Sequence, residues 1–339
     1  MAKGKEEDKW TFLVVSFRIE PIPVEVASVG RCGLKIFITG GTGLVGRKLI
    51  PQLLNRQDSV VCVTREVSRA RELLPAEVTL LEADPILAGD WQNELLKCDA
   101  VVNLAGEAVA EGRWTKKKKS RIRRSRLSIT GNIAAALVRS ERPMVLVNAS
   151  AVGYYGNRGA EALGEDREPG QDFLARLAVE WEHTAAKAEK EGIRVALLRI
   201  GIVLAPQGGA LAKLAEPFRW GMGGPIGSGK QYFPWLHIQD LVRIILFTLD
   251  NDKLQGPINA VVPNPPLQKD FAAALGTALG KPSWLAAPEF ALHLLLGQKA
   301  EMILASQRAV PNALKAHGFR FAFGELDKAM TDLFPLQGS

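Results

Sequence analysis

Short apolar runs alternate with amphipathic stretches between Leu34 and Leu204, and this alternation predicts a doubly wound parallel sheet. Runs of four or five apolar residues are typical of strands that helices cover on both faces. They predict strands at residues 34–38, 59–63, 78–82, 100–104, 145–148 and 195–198. Apolar residues at helical spacing predict helices at 44–54, 115–138 and 173–190. The pattern therefore predicts an α/β fold.

A glycine-rich turn joins the first predicted strand to the first predicted helix. Residues 39–46 read Thr-Gly-Gly-Thr-Gly-Leu-Val-Gly. In a dinucleotide-binding turn of this spacing, Gly40 allows the tight turn, Gly43 lets a pyrophosphate approach the backbone, and Gly46 lets the helix pack closely on the strand. The amino end of the helix offers free N–H groups to the phosphates. We therefore expect a Rossmann-type site made of Gly40, Thr42, Gly43, Leu44, Val45 and Gly46.

The end of the second strand distinguishes between the two nicotinamide cofactors. An NAD site has a carboxylate there, which accepts hydrogen bonds from the ribose hydroxyls. This chain has Thr64 and Arg65 at that place, with Asp58 before the strand and Glu66 after Arg65. A guanidinium and a hydroxyl can bind a 2′-phosphate that a carboxylate would repel. The sequence therefore predicts NADP(H) as the cofactor.

The end of the fourth strand also fits a bound dinucleotide. It leads into Leu104, Ala105 and Gly106, and Glu107 follows. Small residues at the carboxyl end of a strand let the cofactor lie across the sheet edge.

The pattern changes after Leu204. Residues 205–235 contain the run 221–235, which is too glycine-rich to be regular structure, and loops rich in glycine and aromatic residues commonly bind ligands. From about Pro263 onward the pattern predicts three or more helices. We therefore divide the chain into an extension (1–33), an NADP-binding domain (34–204), and a smaller, mostly helical substrate region (205–339) that shares part of the sheet. The sequence leaves open whether residues 1–33 are disordered, add an edge strand, or reflect a start codon placed too early.

The composition narrows the range of partners. With 47% hydrophobic and 23% charged residues among 339, the chain is typical of soluble globular proteins, and its net charge of +7 suits an anionic ligand. Cys32, Cys62 and Cys98 lack the spacing of a metal site, and this cysteine usage favours a reducing, cytoplasmic location without a bound metal. No apolar run approaches the roughly 18 residues that span a bilayer.

A basic run covers residues 116–126, where eight of eleven side chains are cationic. Ile122, Ile129 and Ile133 recur at helical spacing within and beyond it, which indicates a helix with one buried stripe and charged, solvated faces. Only Trp114 could stack on a base, so we do not expect nucleic-acid binding. Arg126 is the cation that we expect to turn inward, toward the cofactor phosphates.

Together these motifs resemble the extended short-chain dehydrogenase/reductase superfamily, and within it an atypical NAD-dependent epimerase-like group with a C-terminal helical domain. The resemblance covers residues 34–334 and includes Asn-Leu-Ala-Gly-Glu (103–107), Ala-Val-Gly-Tyr-Tyr-Gly (151–156), Gly-Gly-Pro-Ile-Gly-Ser-Gly (223–229) and Trp-Leu-His-Ile-Gln-Asp (235–240). Some plant and cyanobacterial members carry a cell-division-inhibitor label.

The resemblance implies NADP(H) binding and further contacts. Leu104 and Ala105 would lie along the dinucleotide, Arg126 near its phosphates or ribose, and Val203 beside the nicotinamide. The substrate would be a small molecule, and the implied substrate side comprises Glu107, Arg219, Lys230, Gln231 and Trp235. Arg219 or Lys230 would meet the phosphates of a nucleotide-sugar.

The usual catalytic pair of the superfamily is missing. Its Tyr-x-x-x-Lys places a phenol and an ammonium on one face of a helix, where the Lys lowers the pKa of the Tyr. With Glu182 aligned to the downstream Glu of the family, those positions become Leu174 and Ala178, which cannot transfer protons. Ser150 and Tyr154 are the remaining acid/base candidates.

Two functions therefore remain open. One is an NADP(H)-dependent oxidoreductase or epimerase with an unusual proton donor, acting on a small or nucleotide-linked substrate. The other is a non-catalytic NADP(H)-binding regulator, for instance in cell or plastid division, with an exposed apolar patch near residues 292–296 as its partner surface. The sequence also leaves open whether the chain forms a homodimer.

Overall fold

Seven parallel strands form the central sheet of the protein. The computed structural model describes residues 33–190, 192–206 and 208–335, so the expectations for residues 1–32 lie outside it. The strands are β1 (Lys35–Thr39), β2 (Ser59–Thr64), β3 (Thr79–Glu82), β4 (Ala100–Asn103), β5 (Met144–Ala151), β6 (Ala162–Leu163), β7 (Ile193–Ile200), β8 (Ile202–Leu204), β9 (Trp235–His237), β10 (Gly256–Ala260) and β11 (Arg308–Ala309). The central sheet has the order β10-β7-β5-β4-β1-β2-β3.

Helices cover both faces of this sheet and form most of the region after residue 204. They are α1 (Gly46–Asn55), α2 (Val67–Leu73), α3 (Trp91–Leu95), α4 (Lys116–Leu137), α5 (Phe173–Ala186), α6 (Gly209–Arg219), α7 (Ile238–Asp250), α8 (Gln268–Leu279), α9 (Glu289–Leu296), α10 (Lys299–Leu304), α11 (Asn312–Ala316) and α12 (Leu326–Leu333). This arrangement confirms the predicted doubly wound α/β fold, and the six predicted strands and three predicted helices are all present.

The strand order reverses beside β1, although all seven strands run parallel. Thr39 pairs with Val63 of β2 on one side and with Asn103 of β4 on the other. Successive strands are added outward from this point in both directions, so the carboxyl ends of β1 and β4 open into a crevice between helices. The glycine turn after β1 lies at this crevice.

Alternate residues of the strands point into two separate apolar layers. Ile36 and Ile38 pack with Leu49 of α1 and Ile245 of α7. Phe37, one residue along, packs on the other face in the layer formed with α3, α4 and α5. Because both layers are apolar, the strands read as continuous apolar runs and could be predicted from sequence.

Residues 221–234 of the glycine-rich run form no helix or extended strand, as expected, whereas the segment before them contains a helix that was not predicted. Residues 209–219 form α6, and β9 begins at Trp235. The glycines concentrate after the helix, at 221–229, whereas the helical segment is rich in alanine and leucine, both strong helix formers. Leu211, Ala215 and Phe218 bury one face of α6 against α8 and α12.

None of the described helices has the length and apolar character that crossing a bilayer requires.

In the region after residue 204, β10 joins the edge of the central sheet beside β7, with Ile258 paired to Leu198. A third apolar cluster, which includes Phe271, Leu275 and Met330, holds α6, α8 and α12 together.

Candidate cofactor and substrate site

The glycine turn depends on the absence of side chains at two positions. Gly40 has φ of +75°, and a Cβ there would lie 2.8 Å from the backbone nitrogen of Ala105. A Cβ on Gly46 would collide with the carbonyl oxygen of Gly41. The first glycine thus brings the turn against the end of β4, and the third lets α1 pack on the turn.

The amino end of α1 presents unpaired backbone donors. The N–H of Gly43 donates to the carbonyl of Gly40 at 3.0 Å and closes the turn. The N–H groups of Leu44 and Val45 have no hydrogen-bond partner among the described residues. Unpaired N–H groups at the positive end of a helix are a site for a phosphate.

Arg65 lies just beyond the end of β2 with its guanidinium uncommitted. Its side chain is exposed and has no hydrogen bond or ion pair within the described part of the chain. Thr64 before it is half-buried, and its Oγ1 accepts a hydrogen bond from the N–H of Glu66 at 3.3 Å. The position predicted to bind the 2′-phosphate is therefore free to do so.

Buried polar side chains fix the carboxyl ends of the central strands. Thr39 Oγ1 donates to Asn103 Oδ1 at 2.6 Å, and Asn103 Nδ2 donates to Asn148 Oδ1 at 2.6 Å and to Thr130 Oγ1 at 2.9 Å. The indole of Trp181 in α5 donates to the same Thr130 oxygen at 2.8 Å. These bonds hold β1, β4, β5, α4 and α5 in register beneath the crevice.

Arg126 is partly buried and faces the loop that follows β4. Its guanidinium donates to the carbonyl oxygens of Glu107 at 3.0 Å and of Ile122 at 3.2 Å, and it lies 5.0 Å from the ring centre of Trp181. A Cβ on Gly106 would lie 3.1 Å from this guanidinium. Burial lowers the pKa of Arg126 to about 10, with the Glu107 carboxylate acting in the opposite direction. Arg126 therefore packs against the loop that follows β4.

Glu107 is held by the basic helix. Its carboxylate accepts from Lys118 Nζ and pairs with Arg121, both at 2.8 Å. The Lys118 hydrogen bond contributes most to lowering the pKa of Glu107. Lys116 and Lys117 point into solvent, and Ile122, Ile129 and Ile133 are buried, so the predicted solvated faces and apolar stripe of α4 are confirmed.

Leu44 and Val203, two other residues predicted to contact the cofactor, both lie near the start of α6. Val203 is a half-buried residue of β8 and pairs with Leu236 of β9. Leu44 in the turn reaches the start of α6, where its Cδ2 would lie 2.9 Å from a Cβ on Gly209. The beginning of α6 therefore packs against the turn.

The helix expected from the resemblance to carry the proton-transfer residues is α5, and it has none at the predicted positions. Ala178 is buried, and Leu174 packs against Gly153 of the 3-10 turn at Val152–Tyr155. One turn further along, Glu182 is buried and forms a two-point ion pair with Arg199 of β7, both contacts at 2.9 Å. An internal ion pair therefore lies one turn from Ala178, the position that the resemblance gives to the Lys.

Ser150 belongs to this ion-pair network. Its Oγ donates to Glu182 Oε1 at 2.6 Å, and the residue is only 4% exposed. Arg199 also donates to Tyr155 Oη at 2.9 Å, and Tyr155 donates onward to Asn259 Oδ1 at 2.8 Å. Because its proton is committed to a buried carboxylate, Ser150 fits a structural role better than an acid/base role.

Arg199 is the main residue of this site that was not predicted from the sequence. The available signal was an arginine inside the apolar run of β7, since a charge in a doubly covered strand needs a buried partner. At the start of α7, His237 accepts from the N–H of Gln239, and Asp240 accepts from the N–H groups of Ala322 and Phe323.

Tyr154 is the phenol that remains partly accessible. The Arg199 guanidinium lies 3.5 Å from its ring centre, and its ring meets that of Tyr155 edge-on at 5.3 Å. Burial raises the pKa of Tyr154 above its usual value, although Arg199 acts to lower it. The phenol therefore keeps its proton at neutral pH.

The five residues predicted for the substrate side divide into two groups. Arg219 and Lys230 are exposed, and Glu107 is partly exposed. Gln231 is buried and donates from Nε2 to the carbonyl of Ile226 at 2.9 Å. Trp235 is 1% exposed and lies in the third apolar cluster. Burial within the protein gives Gln231 and Trp235 packing positions rather than places at an open surface.

The described residues contain no group of three or more His, Cys, Asp or Glu side chains that could hold a metal ion. Cys62 and Cys98 are buried free thiols, and burial raises the pKa of each to about 11.

Comparison with known proteins shows which family the chain is similar to. Residues 36–261 match the family described as the NAD dependent epimerase/dehydratase family, and residues 287–333 match a domain of unknown function, DUF1731. The chain is 38% identical over 304 residues to the chloroplastic epimerase family protein SDR39U1 homolog of Arabidopsis thaliana, covering 88% of this chain and 86% of that protein.

Two solved structures are also similar. The crystal structure of the human epimerase family protein SDR39U1, isoform 2, with NADPH has a TM-score of 0.78 and 31% identity, covering 88% of this chain and 99% of that one. The structure of a nucleoside-diphosphate sugar epimerase from Corynebacterium glutamicum has a TM-score of 0.71 and 33% identity, covering 89% of this chain and 58% of that one.

Proposed function

The chain belongs to the NAD dependent epimerase/dehydratase family, and from that premise we propose that it binds NADP(H) and catalyses hydride transfer on a small or nucleotide-linked carbonyl or alcohol. The observation that carries the proposal is the pairing of an open phosphate site with a free cation. Leu44 and Val45 offer unpaired N–H groups, and Arg65 lies at the end of the adjacent strand without a partner in the described chain.

The residues present fit the cofactor. Gly40 leaves no side chain between the turn and Ala105, so a dinucleotide can cross the sheet edge at β4. The bound nicotinamide supplies or accepts the hydride. Leu44 and Val45 would hold the pyrophosphate, and Thr64 and Arg65 the 2′-phosphate. The NADPH in the human relative supports this choice of cofactor.

Further assignments from the sequence belong to the same proposal. Gly106, Arg126 and Val203 would complete the cofactor contacts, and Glu107, Arg219 and Lys230 would face the substrate. The cofactor domain would end at residue 204, and the substrate region would begin at residue 205. A reducing location such as the cytoplasm suits the free thiols of Cys62 and Cys98.

Tyr154 is the proton donor that we favour at the substrate oxygen. It lies just past the carboxyl end of β5, and its phenol is protonated at neutral pH. Ser150, the other candidate, already donates to Glu182. Since Lys is absent from α5, Arg199 would supply the positive charge next to the phenol.

The test has two stages. Fluorescence titration of the full chain with NADPH and NADH measures cofactor binding, and a screen of nucleotide-sugars, aldehydes and quinones then follows absorbance of the reduced nicotinamide. We expect turnover with one of these classes, and a loss of about 10²-fold or more in Tyr154→Phe with NADPH affinity unchanged. Turnover that is equal in wild type and Tyr154→Phe would remove Tyr154 from the mechanism.

A second function is favoured by Leu174 and Ala178 in place of the catalytic pair. In that case the protein binds NADP(H) without turnover and acts through a partner, for instance in cell division. Tight NADPH binding with no turnover across the whole screen would support this regulatory role over the enzymatic one.

A further inference from the structure

Seven large apolar side chains are exposed in two segments that follow residue 204. They are Trp220, Met222, Trp284, Leu285, Phe290, Leu294 and Leu295, and between 42% and 76% of each is accessible to solvent. We call this set the apolar patch. Within the described chain only Leu87 and Val138 are other large hydrophobic residues with comparable exposure. Such a concentration marks an interaction surface.

The two segments of the patch are joined by backbone hydrogen bonds. The N–H of Leu285 donates to the carbonyl of Gly223 at 3.2 Å, and the N–H of Ala287 donates to that of Pro225 at 2.8 Å. These bonds place Met222 beside Leu285 and lead directly into α9, which carries Phe290, Leu294 and Leu295. The two segments of the patch therefore adjoin along this pairing.

The basic end of α4 adjoins the patch. Arg113 donates to the carbonyl of Leu294 at 3.5 Å, and Lys119 Nζ donates to Gln298 Oε1 at 2.7 Å. Residues 111–119, 216–222 and 281–301 together carry eight cations and four carboxylates. The cations are Arg113, Lys116, Lys117, Lys118, Lys119, Arg219, Lys281 and Lys299, of which Lys118 is paired with Glu107, and the carboxylates are Glu111, Glu216, Glu289 and Glu301.

From this juxtaposition we propose that the apolar patch and the basic end of α4 form a docking site for the surface of an anionic lipid bilayer. Tryptophan, phenylalanine and leucine enter the interface between headgroups and acyl chains, while lysine and arginine attract anionic headgroups. The patch side chains project outward, with Phe290 and Leu294 each 76% exposed. A fluid bilayer accepts projecting side chains without a complementary groove.

The same charges argue against a second copy as the occupant. Two patches facing each other would bring two cation-rich rims together, which is unfavourable. The proposal does not depend on NADP(H) binding or on catalysis, because the glycine turn and Tyr154 lie outside this surface. Of the residues assigned to the substrate, only Arg219 is counted among its cations.

Co-sedimentation of the full chain with lipid vesicles tests the proposal. One set contains phosphatidylcholine alone, and the other contains about one third phosphatidylglycerol. We expect binding to the anionic set only, weakened by salt. The variant with Phe290→Ser, Leu294→Ser and Leu295→Ser should lose about tenfold or more in apparent affinity. The matched control, Leu87→Ser with Val138→Ser, removes exposed apolar side chains elsewhere and should bind like wild type.

A second pair of variants tests the contribution of charge. Lys116→Gln with Lys117→Gln should weaken binding to anionic vesicles several-fold, whereas Arg139→Gln with Lys253→Gln should not. These four side chains are exposed, so folding is preserved, and circular dichroism checks it. Failure of wild type to bind anionic vesicles, or equal binding by the patch variant, would overturn the proposal. So would a dimer in analytical ultracentrifugation that only the patch variant converts to monomer.

Discussion

Two sides of the crevice are built in opposite ways: the edge at the glycine turn, which we call the cofactor edge, and the side around Ser150 and Tyr154, which we call the proton-transfer side because the proposal places proton transfer there. At the cofactor edge, polar groups are left unpaired: two N–H groups of the glycine turn and the Arg65 guanidinium have no partner among the described residues. On the proton-transfer side, the polar groups satisfy one another, through Ser150, Glu182, Arg199 and Tyr155. Unpaired groups are available to a ligand, whereas paired and buried groups stabilise the fold.

This difference explains why the sequence indicates cofactor binding clearly but does not identify the residues that transfer protons. The phosphate site uses backbone geometry that only glycine permits, so its motif can be recognised in the sequence. The proton-transfer side has Leu174 and Ala178 at the predicted positions of the catalytic pair and has an internal ion pair one turn further along α5. Tyr154 alone remains partly accessible there.

The largest expected effect comes from breaking the internal ion pair. Glu182→Gln leaves the Arg199 guanidinium buried without its counter-charge, and we expect a loss of about 3–5 kcal/mol in the free energy of unfolding. Urea denaturation measures it. Glu180→Gln on the same helix breaks the exposed pair with Arg123 and should cost less than about 1 kcal/mol. Equal losses would show that the buried pair has no special weight.

A smaller loss is expected at Ser150. The change Ser150→Ala removes one hydrogen bond to a buried carboxylate, and the free energy of unfolding should fall by about 1.5–3 kcal/mol. Turnover per folded molecule should be unchanged once a substrate is known, and NADPH affinity should be unchanged as well. A Ser150→Ala variant with normal stability and no turnover would show that Ser150 takes part in catalysis.

The glycine turn should respond to added bulk. In Gly46→Ala the new methyl group meets the Gly41 carbonyl, and we expect about 1–3 kcal/mol of destabilisation together with weaker NADPH binding. In Gly112→Ala the new methyl group would meet no neighbouring atom, although its φ of +66° adds backbone strain, so it serves as the control for local strain without contact. NADPH affinity that survives in Gly46→Ala would detach the turn from cofactor binding.

The smallest effect is on the titration of a single phenol. Burial raises the pKa of Tyr154, so its deprotonation should occur above pH 10, the usual pKa of tyrosine. The difference in phenolate absorbance between wild type and Tyr154→Phe measures this pKa. A value below 10 would mean that Arg199 outweighs burial and would make Tyr154 resemble the usual catalytic tyrosine.

The fold could be predicted from the sequence because both faces of the sheet are apolar. Leu34 to Ile38 and Ser59 to Val63 needed only run length to be recognised as buried strands. The helix α6 was not predicted because the glycines at 221–229 dominated the composition of the whole segment, although residues 209–219 are rich in the helix formers alanine and leucine.

The phosphate site was predictable for the same local reason, since its residues are contiguous in sequence. The network around Arg199 was not, because Ser150, Glu182 and Asn259 are far apart in the chain and meet only when β5, β7, α5 and β10 are assembled. Burial of Gln231 and Trp235 likewise follows from tertiary packing that no spacing rule reveals.

The most direct test is the ratio of NADPH to NADH affinity in wild type and Arg65→Asp, measured by fluorescence titration. Because Arg65 faces solvent at the end of β2, its replacement should not unfold the protein. The account predicts that wild type prefers NADPH, and that Arg65→Asp weakens NADPH by about 10–100-fold while NADH binding is kept or improved. Arg139→Asp, the same charge change at a distant exposed site, should leave the ratio as it is. Equal losses for both cofactors in Arg65→Asp would contradict the claim that this guanidinium selects the 2′-phosphate.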